Sequence, residues 1–227
     1  MIICFSANAS ILAGIALLGI GTVTVRRTDA LAQLPYAVIP IAFGAQQLVE
    51  GYLWTILSTE SQTTNMLIPI YLLFSHVLWP IFVPLAVLMI EPRTERRKLL
   101  AIPMGAGILA GTFFLLALFT KPVSAIIEGR HIVYHLPHRY DAIILTLYII
   151  GTCLTPLLSS YKTIRLFGIV ISVALIATWM VYMNWFASVW CFFAAIASGV
   201  ILGHFSHNRT SDNRNLEAAT PASVPGN

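Results

Sequence analysis

Charged residues are scarce in this sequence and make up only 10% of its 227 positions. A soluble domain carries about 25% charged residues, whereas 58% of this chain is hydrophobic. The composition therefore excludes an ordinary soluble globular protein and indicates a chain that contacts lipid.

The chain also lacks residues that several membrane-protein activities need. Its only lysines, Lys98, Lys121 and Lys162, all lie between apolar runs, so no lysine is available inside a helix bundle for a retinal Schiff base. No Gly-x-Gly-x-x-Gly or phosphate-loop motif is present, which argues against the nucleotide sites that use them. No basic segment precedes the first apolar run, so we expect a retained membrane span and not a cleaved signal peptide.

Seven long apolar runs make up most of the chain. A helix needs about 20 mostly apolar residues to cross a bilayer, and these runs are continuously apolar rather than alternating. Since backbone amides in hydrocarbon must be paired internally, the pattern predicts transmembrane helices. The expected spans are residues 9–25, 34–57, 66–90, 99–119, 141–158, 166–183 and 188–205.

Basic residues are concentrated in alternate connections between these runs, which predicts the orientation. The residues assigned to the cytoplasmic side are Arg26, Arg27, Arg93, Arg96, Arg97, Lys98, Lys162, Arg165, Arg209 and Arg214. Only Lys121, Arg130 and Arg139 fall on the other side. We therefore predict an all-α membrane protein, a seven-transmembrane-helix bundle over residues 1–205 with its N-terminus outside and its C-terminus inside. A disordered cytoplasmic tail is expected at residues 206–227. Because the basic residues follow the membrane orientation, we do not expect a nucleic-acid partner.

The longest connection, near residues 120–140, has a different character. Its β-branched and aromatic segments at 123–127 and 131–135 flank Gly129. This pattern predicts a short external β-hairpin between the fourth and fifth helices, lying as a lid over the outer mouth of the bundle.

Prolines and glycines inside the runs predict local irregularity and close packing. Pro80 and Pro84 fall well within the third span, where each removes a backbone donor, so we expect a kinked helix whose irregular part faces protein or water. Close helix approach is expected at the glycines of the first and fourth spans, which are Gly14, Gly19, Gly21, Gly105, Gly107 and Gly111.

A group of polar residues on the second helix carries the strongest functional signal. Phe43, Gln46, Gln47, Glu50 and Trp54 fall within roughly 100° of arc at about 3.6 residues per turn. A carboxyl group at membrane depth costs several kcal/mol and normally faces the bundle interior. This pattern fits either a binding site or a structural network that ties helices together.

On the third helix, His76 and Trp79 lie beside Pro80 at a depth similar to that of Glu50, so His76 and Glu50 could meet between antiparallel helices. Such a pair could be an acid/base couple, a proton relay or two ligands of a metal. The candidate ligand-binding residues are therefore Gln46, Gln47, Glu50, Trp54, His76 and Trp79, and the candidate metal ligands are Glu50, His76, His135 and His138.

Among the cysteines, Cys4 and Cys191 lie near outer helix ends, where a disulfide is conceivable, and Cys153 suits a packed thiol.

Four segments together resemble a known family, and they lie in a consistent order and spacing. They are Cys4-Phe5-Ser6-Ala7, then Gln46-Gln47-Leu48-Val49-Glu50-Gly51 with Trp54, then Lys121-Pro122-Val123 leading to Gly129-Arg130-His131, and finally Ser188-Val189-Trp190-Cys191. The chain thus resembles an uncharacterised bacterial integral membrane family whose members begin Met-Cys-(Phe/Trp)-Ser-Ala, although Ile2 and Ile3 are inserted before the cysteine here. The resemblance implies the architecture and a multi-pass location in the cell inner membrane, and it implies no reaction or cofactor.

Three functions remain open from the sequence. The first is a protein that binds, senses or transports a small ligand through a polar pocket in the outer half of the bundle. The second is a membrane metalloenzyme similar to lipid hydrolases, although its histidine and aspartate set looks incomplete. The third is a structural or accessory subunit. The expected partners are the lipid bilayer and a small-molecule or lipid ligand.

Overall fold

Most of the described residues are helical in the structure, a computed structural model that describes residues 6–58, 61–129, 131–136, 141–181 and 197–206. The helices are α1 Ala7–Val25, α2 Leu34–Ile56, α3 Gln62–Ile90, α4 Thr94–Thr120, α5 Ala142–Leu157 and α6 Lys162–Val181. Residues 197–206 are also helical and are called α7. A short 3₁₀ helix, Leu31–Gln33, precedes α2. Of the predicted tail, only Ser206 falls within this description.

Within the described residues, four helices are long and apolar enough to cross a membrane, namely Ala7–Val25, Gln62–Ile90, Thr94–Thr120 and Lys162–Met180. Helix α5 is apolar but shorter. Helix α2 has 23 residues and falls outside this group because polar residues interrupt its apolar sequence. Many large apolar side chains are exposed, and Ile102 of α4, at 72%, is an example. Such surfaces are typical of helices that contact lipid.

Side-chain caps fix where three of the helices begin. The hydroxyl of Ser6 accepts a hydrogen bond from the N–H of Ala9 at 3.3 Å, and Ser61 caps α3 in the same way. A carboxylate oxygen of Asp141 accepts from the first-turn amides of α5. Each cap contributes about 1 kcal/mol, because it pairs backbone donors that the helix itself cannot satisfy.

Helices α1 and α2 pack as an antiparallel pair through glycines. A Cβ on Gly44 would lie 2.9 Å from the carbonyl oxygen of Gly14. Gly21 and Gly51 are similarly crowded, each with side-chain atoms of the opposite helix closer than 3 Å to a Cβ placed there. Nothing among the described residues lies within 4 Å of such a Cβ on Gly19 or on Gly105, so the prediction that these two glycines pack closely was wrong.

Helix α3 contains a π-helical segment, Leu73–Leu78, in which the N–H of Trp79 bonds to the carbonyl five residues earlier. With this spacing the next donor should come from Pro80, which has no N–H. The carbonyl of Ser75 is therefore left to another partner, and the hydroxyl of Tyr148 on α5 donates to it at 2.7 Å. The irregularity in α3 thus becomes a contact between two helices.

The backbone around Pro80 packs directly against α4 and α5. A Cβ on Gly107 would lie 1.8 Å from the carbonyl oxygen of Pro80, and a Cβ on Gly151 would lie 3.0 Å from it. This carbonyl cannot bond to residue 84 because Pro84 has no N–H. A Cα–H of Gly107 points towards it instead, as in the weak Cα–H···O contacts between close helices. Only glycine fits at residue 107.

Two antiparallel strands, β1 Ser124–Glu128 and β2 His131–His135, connect α4 to α5 and pair along their full length. Gly129 in the turn has φ 63°, a left-handed conformation that favours glycine. Strand β2 is buried up to Tyr134, whose ring stacks on that of Tyr71 in α3 with centroids 4.3 Å apart. The strands therefore lie against the first half of α3, and their position outside a membrane stays a prediction.

The contact between α3 and α4 predicts a sharp difference between two neighbouring glycines. Gly107→Ala should lower the free energy of unfolding by about 1–3 kcal/mol, because its methyl group must displace the α3 backbone. Gly105→Ala is the matched control, since nothing lies within 4 Å of a Cβ at that position, and it should be neutral or slightly stabilising. Thermal unfolding in detergent, followed by tryptophan fluorescence, measures both variants. Equal stability of the two would contradict the packing described here.

Candidate functional site

Three polar side chains of α2 are enclosed by the protein. Gln46 and Gln47 are 0% exposed and Glu50 is 1% exposed. Gln46 and Gln47 are adjacent, and Glu50 follows them by four and three residues, so all three share one side of the helix. The Nε2 of Gln47 donates to Oε2 of Glu50 at 3.3 Å. A carboxyl group is thus held inside the helix bundle with an amide beside it.

The indole of Trp79 joins α3 to these residues. Its Nε1 donates to Oε1 of Gln46 at 2.6 Å. Its ring stacks on Phe43 of α2, with centroids 3.7 Å apart and planes inclined by 20°. Trp79 directly follows the π-helical segment, so the wider turn determines which side of α3 this indole occupies. We call Gln46, Gln47, Glu50 and Trp79 the polar cluster.

Two atoms of the polar cluster have no hydrogen-bond partner among the described residues. They are Nε2 of Gln46, which is a donor, and Oε1 of Gln47, which is an acceptor. Leaving a buried polar group unpaired costs about 1–3 kcal/mol, and such groups in native proteins usually bond to ordered water or a ligand. Together with the carboxyl group of Glu50, these atoms can bind a molecule that offers both an acceptor and a donor.

His76 bonds within its own helix and packs against α4. Its Nδ1 lies 2.7 Å from the hydroxyl oxygen of Ser75, and its half-buried ring meets Phe114 edge to face at 5.1 Å. Trp54 is half-buried and packs against the hydrophobic core. A chamber shared by His76 and Glu50 stays a prediction.

The structure describes only some of the residues predicted as metal ligands or thiols. No group of three or more His, Cys, Asp or Glu within the described ranges could hold a metal ion. His135 is exposed at the end of β2, and His138 lies outside the described residues. Cys4 and Cys191 also lie outside them, whereas Cys153 is a buried free thiol.

A second polar group, which the sequence analysis missed, lies where α3 ends. The carboxylate of Glu91 is 0% exposed and accepts hydrogen bonds from the hydroxyl of Ser159 at 3.1 Å and the N–H of Ser160 at 2.8 Å. The N–H of Arg93 bonds to its other oxygen at 3.3 Å. Glu91 thereby ties the connection after α3 to the connection before α6. Its only signal in the sequence is an acidic residue directly after an apolar run.

The hydrogen bonds also set the charge state of Glu91. Burial by itself raises the pKa of Glu91, but hydrogen bonds from Ser160, Arg93 and Ser159 outweigh burial and hold that pKa below its ordinary value of 4.5. The carboxylate is therefore ionised at neutral pH and its negative charge is stabilised by the fold.

A comparison with protein families matches residues 3–216 to a family described as a family of unknown function, DUF6629. Searches of curated proteins and of solved structures found no match. The matched residues include both the polar cluster and Glu91. The resemblance to an uncharacterised family is confirmed, and the comparison supplies no activity.

The lowered pKa of Glu91 predicts how stability depends on pH. Because the folded-state pKa lies below the unfolded value, the contribution of Glu91 is fully present above pH 4.5 and is lost as the pH falls through the lower, folded-state value. Glu91→Gln should be less stable than the unmodified protein at neutral pH by about 1–3 kcal/mol, and the difference should shrink in acid.

Unfolding midpoints measured against pH test this expectation for Glu91. Glu95→Gln is the control, because Glu95 is exposed and forms a surface pair with Lys98, and such pairs contribute little. A constant difference between Glu91→Gln and the unmodified protein at all pH values would show that ionisation of Glu91 is irrelevant to stability.

Proposed function

The chain belongs to the family of unknown function DUF6629, and from its buried polar groups we propose that it is an integral membrane protein that binds a small polar ligand at the polar cluster. Binding of this kind serves a sensor, a receptor or a transporter. The observation that carries the proposal is that Nε2 of Gln46 and Oε1 of Gln47 are buried and have no hydrogen-bond partner among the described residues. Each unsatisfied atom lowers the stability of the protein, and a hydrogen bond to a bound molecule would remove that penalty.

The donor and acceptor pattern restricts the chemistry of the ligand. Oε1 of Gln47 and the carboxyl group of Glu50 accept hydrogen bonds, whereas Nε2 of Gln46 donates one. A molecule with an amine or amide group beside an oxygen satisfies all three residues. Amino acids and amino alcohols have this arrangement. The stacked rings of Phe43 and Trp79 supply an apolar wall, as is usual in small-molecule sites.

We also propose that all seven helices cross the cell inner membrane, with the N-terminus outside and the C-terminus inside. Contacts between the basic ends of the helices support this arrangement. Arg27, after α1, bonds to Ser206 at the end of α7. Thr163 at the start of α6 bonds to His204 of α7 at 2.5 Å, and Arg96 at the start of α4 bonds to the end of α5. Connections that share a side of a membrane would meet in this way.

With this orientation the polar cluster belongs to the outer half of the bundle. Glu50 lies near the outer end of α2, and β2 packs on Tyr71 of α3, close to the outer start of that helix. The two strands would then cover the outer approach to the cluster. A ligand would enter from outside, beside the hairpin.

A structural role is the second candidate, because the hydrogen bond from Trp79 to Gln46 joins α2 to α3 without any ligand. In that case the polar cluster only fixes how the two helices pack. The two roles differ in their response to added ligand.

Replacing one oxygen of Glu50 tests the binding role. Glu50→Gln keeps the shape of the side chain but replaces a carboxyl oxygen with an NH2 group, and it should weaken binding about tenfold or more, because a donor of the ligand loses its acceptor in a buried site. Amino acids and amino alcohols are titrated against the purified protein, and the shift in its unfolding midpoint is measured. Glu95→Gln is the matched control, since Glu95 is exposed at the other end of the bundle. A ligand that shifts the midpoints of the unmodified protein and of Glu50→Gln equally would remove the proposal.

Reporter fusions test the proposed topology. Fusions that end after residues 28, 92 and 160 should fluoresce as GFP fusions, because these positions are expected inside the cell. Fusions after residues 59 and 130 should be active as alkaline phosphatase fusions, because those positions are expected outside. The opposite pattern, or one reporter active at every position, would contradict seven crossings in this orientation.

A further inference from the structure

Two arginines converge on one backbone oxygen at the basic end of the bundle. Nη1 of Arg96 donates to the carbonyl of Leu158 at 2.7 Å and reaches the carbonyl of Ser159 at 3.5 Å. Nη1 of Arg165 donates to the same Ser159 carbonyl at 3.0 Å. Each guanidinium is thereby fixed in place by neutral acceptors, and most of its five N–H groups have no other partner among the described residues.

Within the part of the chain that the structure describes, the positive charges of these two arginines are not paired with a negative group. No carboxylate of the described residues forms an ion pair with Arg96 or Arg165. The neighbouring carboxylate of Glu91 is instead held by Ser159, Ser160 and the backbone of Arg93. Two guanidinium groups held this close repel each other, and an anion bound to both would relieve that repulsion.

The surfaces next to the arginines indicate where such an anion would come from. On α4, Leu99 and Ile102 are 46% and 72% exposed, and on α6, Leu166 is 48% exposed. These apolar side chains lie within two turns of the arginines, so they would contact acyl chains while the guanidinium groups lie at the depth of lipid headgroups. A molecule with a phosphate at one end and a hydrocarbon chain at the other matches both features.

We propose that Arg96 and Arg165 form a binding site for the phosphate of an anionic phospholipid. The planar guanidinium forks suit the oxygens of a phosphate. Exposed Arg97 and Lys98 at the start of α4 add positive charge around the site, which favours lipids with a net negative headgroup over zwitterionic ones. The site depends on the chain lying in a membrane and is independent of ligand binding at the polar cluster.

The test uses the full-length protein in detergent, with phosphatidylglycerol or phosphatidylcholine of the same acyl chains added in increasing amounts. Phosphatidylglycerol should raise the unfolding midpoint more strongly than phosphatidylcholine. In the double variant Arg96→Gln with Arg165→Gln, the apparent affinity for phosphatidylglycerol should fall about tenfold or more, while the response to phosphatidylcholine stays the same. Arg26→Gln is the charge-matched control, since Arg26 is exposed at the same end of the bundle, and it should keep the preference.

Three results would overturn the proposal. The first is an equal response of the unmodified protein to both lipids. The second is an unchanged preference for phosphatidylglycerol in the double variant. The third is protection by inorganic phosphate as strong as that by phosphatidylglycerol, which would identify a site for free phosphate instead of lipid.

Arg96 and Arg165 also hold backbone carbonyls, so the glutamine variants can fail to fold. If the glutamine variants do not fold, the double variant Arg96→Lys with Arg165→Lys is used instead, because lysine keeps the charge but lacks the planar guanidinium fork. This variant should bind phosphatidylglycerol more weakly than the unmodified protein and still prefer it over phosphatidylcholine. Binding as tight as that of the unmodified protein would contradict recognition by the two forks.

Discussion

Pro80 has no backbone N–H, and Pro84 leaves the carbonyl of Pro80 without a helical donor. The contacts around Pro80 reach three other helices. The π-helical turn before it leaves the Ser75 carbonyl to the hydroxyl of Tyr148 on α5. Its own carbonyl lies against the backbone of Gly107 on α4. The residue before it, Trp79, is turned towards α2, where its indole bonds to Gln46. In an apolar surrounding each of these polar groups must find a partner within the protein, so the two prolines of α3 influence how the central helices pack.

The carboxyl groups of Glu91 and Glu50 are both buried, and each needs hydrogen-bond partners, but their surroundings differ. Glu91 receives three hydrogen bonds from two connections and acts as a tie between them. Glu50 accepts a hydrogen bond from Gln47. The side-chain oxygen of Gln47 and the amide nitrogen of Gln46 have no partner among the described residues. A cluster built only for stability would satisfy such atoms or replace them with apolar groups. Their retention beside a carboxyl group is what favours a ligand at Glu50.

Local features of the sequence predicted much of the fold, because they depend on residues close together in the chain. Apolar runs indicated where helices form, and the spacing of Gln46 and Glu50 placed them on one side of α2. Contacts between distant residues were not predictable in this way. The bond from Trp79 to Gln46 joins residues 33 positions apart, and that from Ser159 to Glu91 joins residues 68 apart. The periodicity of the third apolar run does not reveal which side of α3 Trp79 occupies, because the π-helical turn changes that side.

The most direct test of the account is an experimental structure of the protein in a lipid environment, at a resolution that shows ordered water and small ligands. We expect density for a bound molecule within hydrogen-bond distance of both Nε2 of Gln46 and Oε1 of Gln47, next to Glu50. Direct pairing of both atoms with other groups of the protein, or dry apolar packing around them, would contradict it and leave the polar cluster as a structural link between α2 and α3.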